Sequence, residues 1–237
     1  MTRYYIHDLD DNLQRFKPQA EAVMNEACAR AAIEDCGVGL GLQEAMDLIK
    51  ESIATRQSHF QLFIERHGVD WDTLHLSYNQ RVDRSIIDPI PQLPASLAAL
   101  GSKAEHCILT HSHMLWASEC VDLNKIRPWF PDQRIVTLEM YKEEPKHIGT
   151  KGFELALSRL GGPDPKDTVF TDDTPANLVT AKKMGMQTVW SSHGRILPAA
   201  FSAYVDHVAH DACEFLQKLT IPPAPRTNRK PGGPAGP

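Results

Sequence analysis

The chain has 237 residues, a formal net charge of -5 and 42% hydrophobic residues, enough for one domain or for a core with a smaller inserted domain. This acidic balance lacks the clustered Lys and Arg that a nucleic-acid backbone demands, and no apolar run approaches the roughly 20 residues of a membrane span. Five scattered cysteines at no zinc-ligand spacing, with no basic-then-apolar leader pattern, set the expectation of a cytoplasmic protein with reduced thiols acting on a small soluble molecule.

Arg3 to His7 reads as a short buried strand running into the acidic loop Asp8-Leu9-Asp10-Asp11-Asn12-Leu13. From Phe16 to about Pro89 the pattern is helical. Val23, Ala27, Ala31 and Ala32 recur at helical intervals, then Leu42, Ala45, Met46, Ile49 and Ile53, then Phe60, Phe63 and Ile64 up to Gly68. Leu93 to Leu100 is a short helix stopped by Gly101. His106 to Thr110 is an apolar strand, Met114 to Leu123 a helix, and Arg134 to Leu138 a strand. Gly152 to Leu160 is a helix closed by Gly161-Gly162. Thr168 to Thr171 is a strand entering Asp172-Asp173, Ala176 to Met184 a helix ended by Gly185, and Gln187 to Trp190 a strand. Alternating strands and helices predict an α/β fold, a Rossmann-like parallel sheet with a helical segment inserted after the first strand. The expected division is a core over residues 1–15 and 91–220, the helical insert over 16–90, and a disordered Pro/Gly-rich tail over 221–237.

Parallel sheets present ligands at the carboxyl ends of their strands. Asp8 and Asp10, Thr110, Lys146, and Asp172 with Asp173 all fall at such ends or in loops nearby. Four acids in one pocket repel and lift one another's pKa values unless a cation sits among them, and hard carboxylate oxygens suit magnesium. Each residue also has a plainer reading. The Asp172-Asp173 pair could cap a helix, Thr110 could be a turn residue, Lys146 a solvated charge, and His7 a packing residue. His111 and His113 have no third ligand at metal spacing and read as loop residues.

Taken in order, three segments resemble motifs of the haloacid dehalogenase (HAD) superfamily. These are Asp8-Leu9-Asp10-Asp11-Asn12-Leu13, Cys107-Ile108-Leu109-Thr110-His111-Ser112, and Thr168-Val169-Phe170-Thr171-Asp172-Asp173 with the helix that follows. Within it the pattern looks most like the pyrimidine 5'-nucleotidase-type phosphatases, which implies that the insert over 16–90 is a helical cap on the Rossmann-like core. The resemblance implies an aspartyl-phosphate on Asp8, a proton donor and acceptor at Asp10, and charge neutralisation by Lys146. It also implies phosphoryl contacts from Thr110, the adjoining His111 and Lys146. Magnesium would be held by Asp8, Asp173 and the Asp10 carbonyl, with Asp172 acting mainly through water. Asn12 stands where Thr or Val is usual and His111 where Asn is common. Lys142 and Lys151 compete with Lys146 for the lysine role. The implied substrate is a small phosphorylated metabolite, with a nucleoside monophosphate in first place. A phosphotransferase or mutase, or a phosphate-binding regulatory module, are the alternatives, and oligomeric state is open.

Overall fold

The computed structural model describes residues 3–56, 58–141 and 145–220. Strand β1 (Arg3–His7) leads through a tight turn into β2 (Gln14–Phe16). Helices α1 (Ala20–Arg30), α2 (Leu42–Arg56), α3 (Gln61–His67) and α4 (Trp71–Arg81) follow, with a π-helical turn at Ala31–Asp35, before β3 (Ile87–Pro89). The rest alternates: α5 (Leu93–Leu100), β4 (Ala104–Leu109), α6 (Met114–Leu123), β5 (Ile135–Val136), α7 (Lys151–Arg159), β6 (Thr168–Asp172), α8 (Pro175–Lys183), β7 (Gln187–Ser191), β8 (His207–Ala209) and α9 (Ala212–Thr220). No helix among the described residues is long and apolar enough to cross a membrane.

The six-stranded sheet has the order β5-β4-β1-β6-β7-β8, and every pairing in it is parallel. The Rossmann-like α/β core read from the sequence is therefore present. Its faces follow from the two-residue period of a strand. Tyr5, Ile108, Ile135, Val169 and Val189 point to one side, into a core shared with buried residues of α5, α6 and α9. Ile6, Cys107, Leu109, Val136, Phe170 and Trp190 point to the other, against Phe153, Ala156 and Leu157 of α7 and Leu178 and Ala181 of α8. The chain builds outward from β1 through β4 to β5, then returns to its other side with β6. That reversal opens a crevice at the carboxyl end of β1, where such sheets bind ligands.

The helical reading between Phe16 and Pro89 needs correction at both ends. Gln14–Phe16 and Ile87–Pro89 pair as an antiparallel ribbon, with Gln14 opposite Pro89 and Phe16 opposite Ile87. Three-residue strands are too short to show alternation. The strand expected over Arg134 to Leu138 is reduced to Ile135–Val136, with a 3-10 turn at Leu138–Met140. The sequence reading stopped before β8 and α9. The tail expected over 221–237 lies outside the described residues, as does Lys142.

Candidate active site

The turn after β1 is built on Leu9, whose carbonyl accepts the backbone N–H groups of Leu13 (3.0 Å) and Gln14 (3.3 Å). Asp11 closes it at φ +50°, a left-handed conformation that Asp tolerates better than most residues. Asn12, fully buried, ties the turn down. Its Nδ2 donates to the Asp8 carbonyl (2.7 Å) and to Thr171 Oγ1 (2.9 Å), and its Oδ1 accepts from Ser191 Oγ (2.6 Å). The departure from Thr or Val at this position thus gives one side chain that bridges β1, β6 and β7.

Beneath this turn lies an imidazole pair that the sequence reading did not foresee. His7 Nδ1 lies 2.9 Å from Thr171 Oγ1, and His7 Nε2 lies 3.1 Å from His106 Nδ1. Burial holds both rings below the ordinary histidine range, His7 well below it and His106 at about 4. Neutral rings of this kind contribute their full stability above the unfolded value near 6.5, and lose it as pH falls toward the folded value. His106 alone is expected to cost about 3 kcal/mol by pH 4. His106→Phe should therefore flatten the fall of the thermal midpoint between pH 6.5 and 4, measured by circular dichroism. An unchanged slope would contradict this assignment.

At the carboxyl ends of β1 and β6, Lys146 Nζ donates to Asp8 Oδ1 at 2.5 Å and to Asp172 Oδ2 at 2.8 Å. It also reaches the Leu109 carbonyl at 3.3 Å. Of the three candidate lysines, Lys146 reaches the acids, whereas Lys151 is exposed at the start of α7. The Lys146 side chain is 1% exposed, so the pair is an interior one. Burial disfavours its ammonium, but Asp172 and Asp8 outweigh that and raise its pKa above the ordinary lysine value.

Asp8, Asp172 and Asp173 place one carboxylate oxygen each within 4.8 Å of one another. Burial first, then Asp172, Asp173 and Asp10, push the Asp8 carboxyl well above its usual range, against the pull of Lys146. Asp173 is raised to about 7 by burial and by Asp172. Three acids against the buried Lys146 and, at Asp173, the half-exposed Arg195 still leave negative charge uncompensated, and an all-oxygen donor set of this kind fits a magnesium ion. Asp172 is the most fully engaged of the three. It accepts from Lys146, from Thr174 N (2.8 Å) and from Asn177 Nδ2 (3.0 Å to each oxygen). The helix-capping reading does not hold for this acid: Thr174 stands at the N-cap of α8 with no side-chain capping bond, and Asp172 instead fixes the turn that leads into it. Asp173 is held more lightly, by Arg195 Nη2 at 3.2 Å and Thr174 Oγ1 at 3.3 Å.

Asp10 is drawn into a different set of contacts. Its Oδ1 accepts from Gln14 Nε2 (2.7 Å) and Trp116 Nε1 (3.0 Å), and its Oδ2 from Ser112 Oγ (2.6 Å). Burial raises its pKa, while the three donors and the nearby Asp11 modulate the rise, the donors downward and Asp11 upward. Thr110, at the end of β4, is 1% exposed, and its Oγ1 accepts from Ser112 N at 3.0 Å. His111 is kept neutral by burial and by Lys146. Its Nε2 accepts the Lys146 backbone N–H at 3.1 Å, which places the ring proton on Nδ1. The structure therefore gathers Asp8, Lys146, Asp172 and Asp173 around one point, with Asp10, Thr110 and His111 in adjoining loops. Asn177, inside the segment that resembles the last motif, was given no role beforehand, and Gln14, Trp116 and Arg195 complete the surroundings without any signal in the sequence motifs.

This sheet order and this cluster define an α/β fold of the haloacid dehalogenase type, and solved structures bear that out. A HAD phosphatase from Thermococcus onnurineus superposes with a TM-score of 0.63 at 17% identity, over 92% of this chain and 98% of its own. CbbY from Rhodobacter sphaeroides, solved with phosphate, gives 0.63 at 16% identity, over 91% and 96%. YfnB from Bacillus subtilis, bound to magnesium, gives 0.58 at 16% identity, over 93% and 99%. No family model matches the sequence, and no curated protein does. At these identities the likeness establishes the fold.

Proposed function

We propose that the chain is a magnesium-dependent hydrolase of small phosphomonoesters that works through an aspartyl-phosphate on Asp8. The observation that carries this reading is the buried lysine shared by Asp8 and Asp172 beside a third acid, all at the crevice of the sheet. In the first step an Asp8 carboxylate oxygen attacks phosphorus, the ester P–O bond breaks, and the leaving oxygen takes a proton from Asp10. In the second, water attacks the same phosphorus while giving a proton to Asp10, and the bond to Asp8 breaks to free phosphate. Lys146 offsets charge at the nucleophile, and Thr110 and the Nδ1–H of His111 supply donors for phosphoryl oxygens. Asp8, Asp173 and the Asp10 carbonyl would hold the magnesium ion, with Asp172 in support, and the ion would neutralise phosphoryl charge. The helical segment between the two ribbon strands serves as the cap, and a nucleoside monophosphate is the first substrate to try.

The test is phosphate release from a panel of nucleoside and sugar monophosphates. We expect turnover that is abolished by chelation and restored by magnesium. Transfer of phosphate to an added alcohol with little free phosphate would point instead to a phosphotransferase. Tight ester binding without turnover would point to a regulatory module.

A further inference from the structure

We infer that Gln14 is a positioning residue for Asp10, holding that carboxylate where it can exchange a proton with the substrate. The inference rests on the phosphatase reading above. Gln14 is fully buried, and a buried amide is tolerated only when its polar atoms are paired. All of them are. One Nε2 proton goes to Asp10 Oδ1 at 2.7 Å and the other to Cys120 Sγ at 3.2 Å, while Oε1 accepts from Asn124 Nδ2 at 2.9 Å. Asn124 fixes the direction of this relay. Its Nδ2 also donates to the Cys120 carbonyl at 2.8 Å, so it faces two acceptors and must present N–H to Gln14. Gln14 is thereby obliged to turn Nε2, not Oε1, toward Asp10.

The remaining donors to Asp10 come from elsewhere in the fold. Ser112 sits in the loop after β4, and Trp116 on α6 is itself covered by the Arg84 guanidinium, 5.1 Å from its ring centre. Gln14 differs from both because it opens β2, whose antiparallel pairing with β3 joins the helical segment to the sheet. The side chain that orients the proton-transfer group therefore lies on the element through which the cap is attached.

The experiment uses the full chain with magnesium and 4-nitrophenyl phosphate, a substrate whose leaving group needs no proton. Gln14→Leu is compared with Asp10→Ala and with the double variant, by steady-state kinetics and by acid-quench trapping of phospho-enzyme. We expect Gln14→Leu to lower kcat by about 10- to 100-fold with phospho-enzyme accumulating, and KM to fall in step so that kcat/KM stays within about twofold, because breakdown needs Asp10 in place whereas transfer from this ester does not. In the Asp10→Ala background the same change should have no further effect. Gln14→Met, of nearly the same size but with no N–H to donate, should behave like Gln14→Leu if the latter folds poorly. Unaltered kcat in both Gln14 variants overturns the inference, as does an equal loss with and without Asp10. A wild-type protein without turnover would refute the phosphatase reading itself, and the positioning role with it.

Discussion

Asp8→Asn is expected to lower turnover by roughly 10⁴-fold or more while leaving the thermal midpoint of the metal-free protein unchanged or higher. The loss follows because an amide cannot form the aspartyl-phosphate. The retained stability follows from charge. Asp8 and Asp172 share Lys146, Asp173 has the half-exposed Arg195, and the Asp8 pKa stands well above the usual 3.8 despite that lysine. A carboxyl raised by folding costs stability once pH exceeds its unfolded value, and that cost persists above its folded value. Replacing Asp8 with a neutral isostere removes it, while Lys146 keeps Asp172 as a partner at 2.8 Å. Phosphate release and differential scanning calorimetry on the same preparation check both halves. Residual activity in a verified Asp8→Asn protein would remove Asp8 as the nucleophile. Such opposition between stability and activity is expected where function requires crowded like charge.

Lys146→Met should move both quantities downward. Removing one partner of a buried ion pair leaves the other charge stranded, at a cost of about 3–5 kcal/mol, or roughly 10 °C in midpoint for a chain of this size. Here two carboxylates are stranded, since Lys146 serves both Asp8 and Asp172. The deficit should shrink in acid, where Asp8, whose pKa is already raised, takes up a proton, and magnesium should restore part of it at neutral pH. Turnover should fall by roughly 10³-fold even with magnesium present, because charge on the attacking and transferring groups is no longer offset. A variant with wild-type midpoint at pH 7.5 would show that the lysine is not the counter-charge its geometry implies.

How much of this was legible beforehand depended on whether a residue's role is local. Asp8, Thr110 and Asp172 each end a run of apolar residues, so the strand pattern itself marked their positions, and parallel pairing brought those ends together. Lys146 was harder. It lies in an irregular stretch, and only the fold shows that it reaches the acids while Lys151 heads α7. The ribbon of Gln14–Phe16 with Ile87–Pro89 joins residues far apart in the chain through strands too short to leave a period. The donors to Asp10 were invisible for the same reason, since Gln14, Ser112 and Trp116 converge from three separate elements. Helix α9 did carry a usable signal. Asp211 stands before it and accepts the Glu214 N–H at 2.9 Å, and Phe215, Leu216 and Leu219 follow at helical spacing.

The central place of β1 has a kinetic consequence. Residues 3–7 pair with residues 104–108 on one side, and residues 4–7 with residues 168–171 on the other. The strand that delivers Asp8 can therefore find neither neighbour until distant parts of the chain have been brought to it. Loop-closure entropy must be met before those contacts return any stability, and topologies of this kind fold slowly. The helical segment between β2 and β3, rich in near-neighbour contacts, can gain structure early. The crevice beside Asp8 is complete only once β6 has docked against β1.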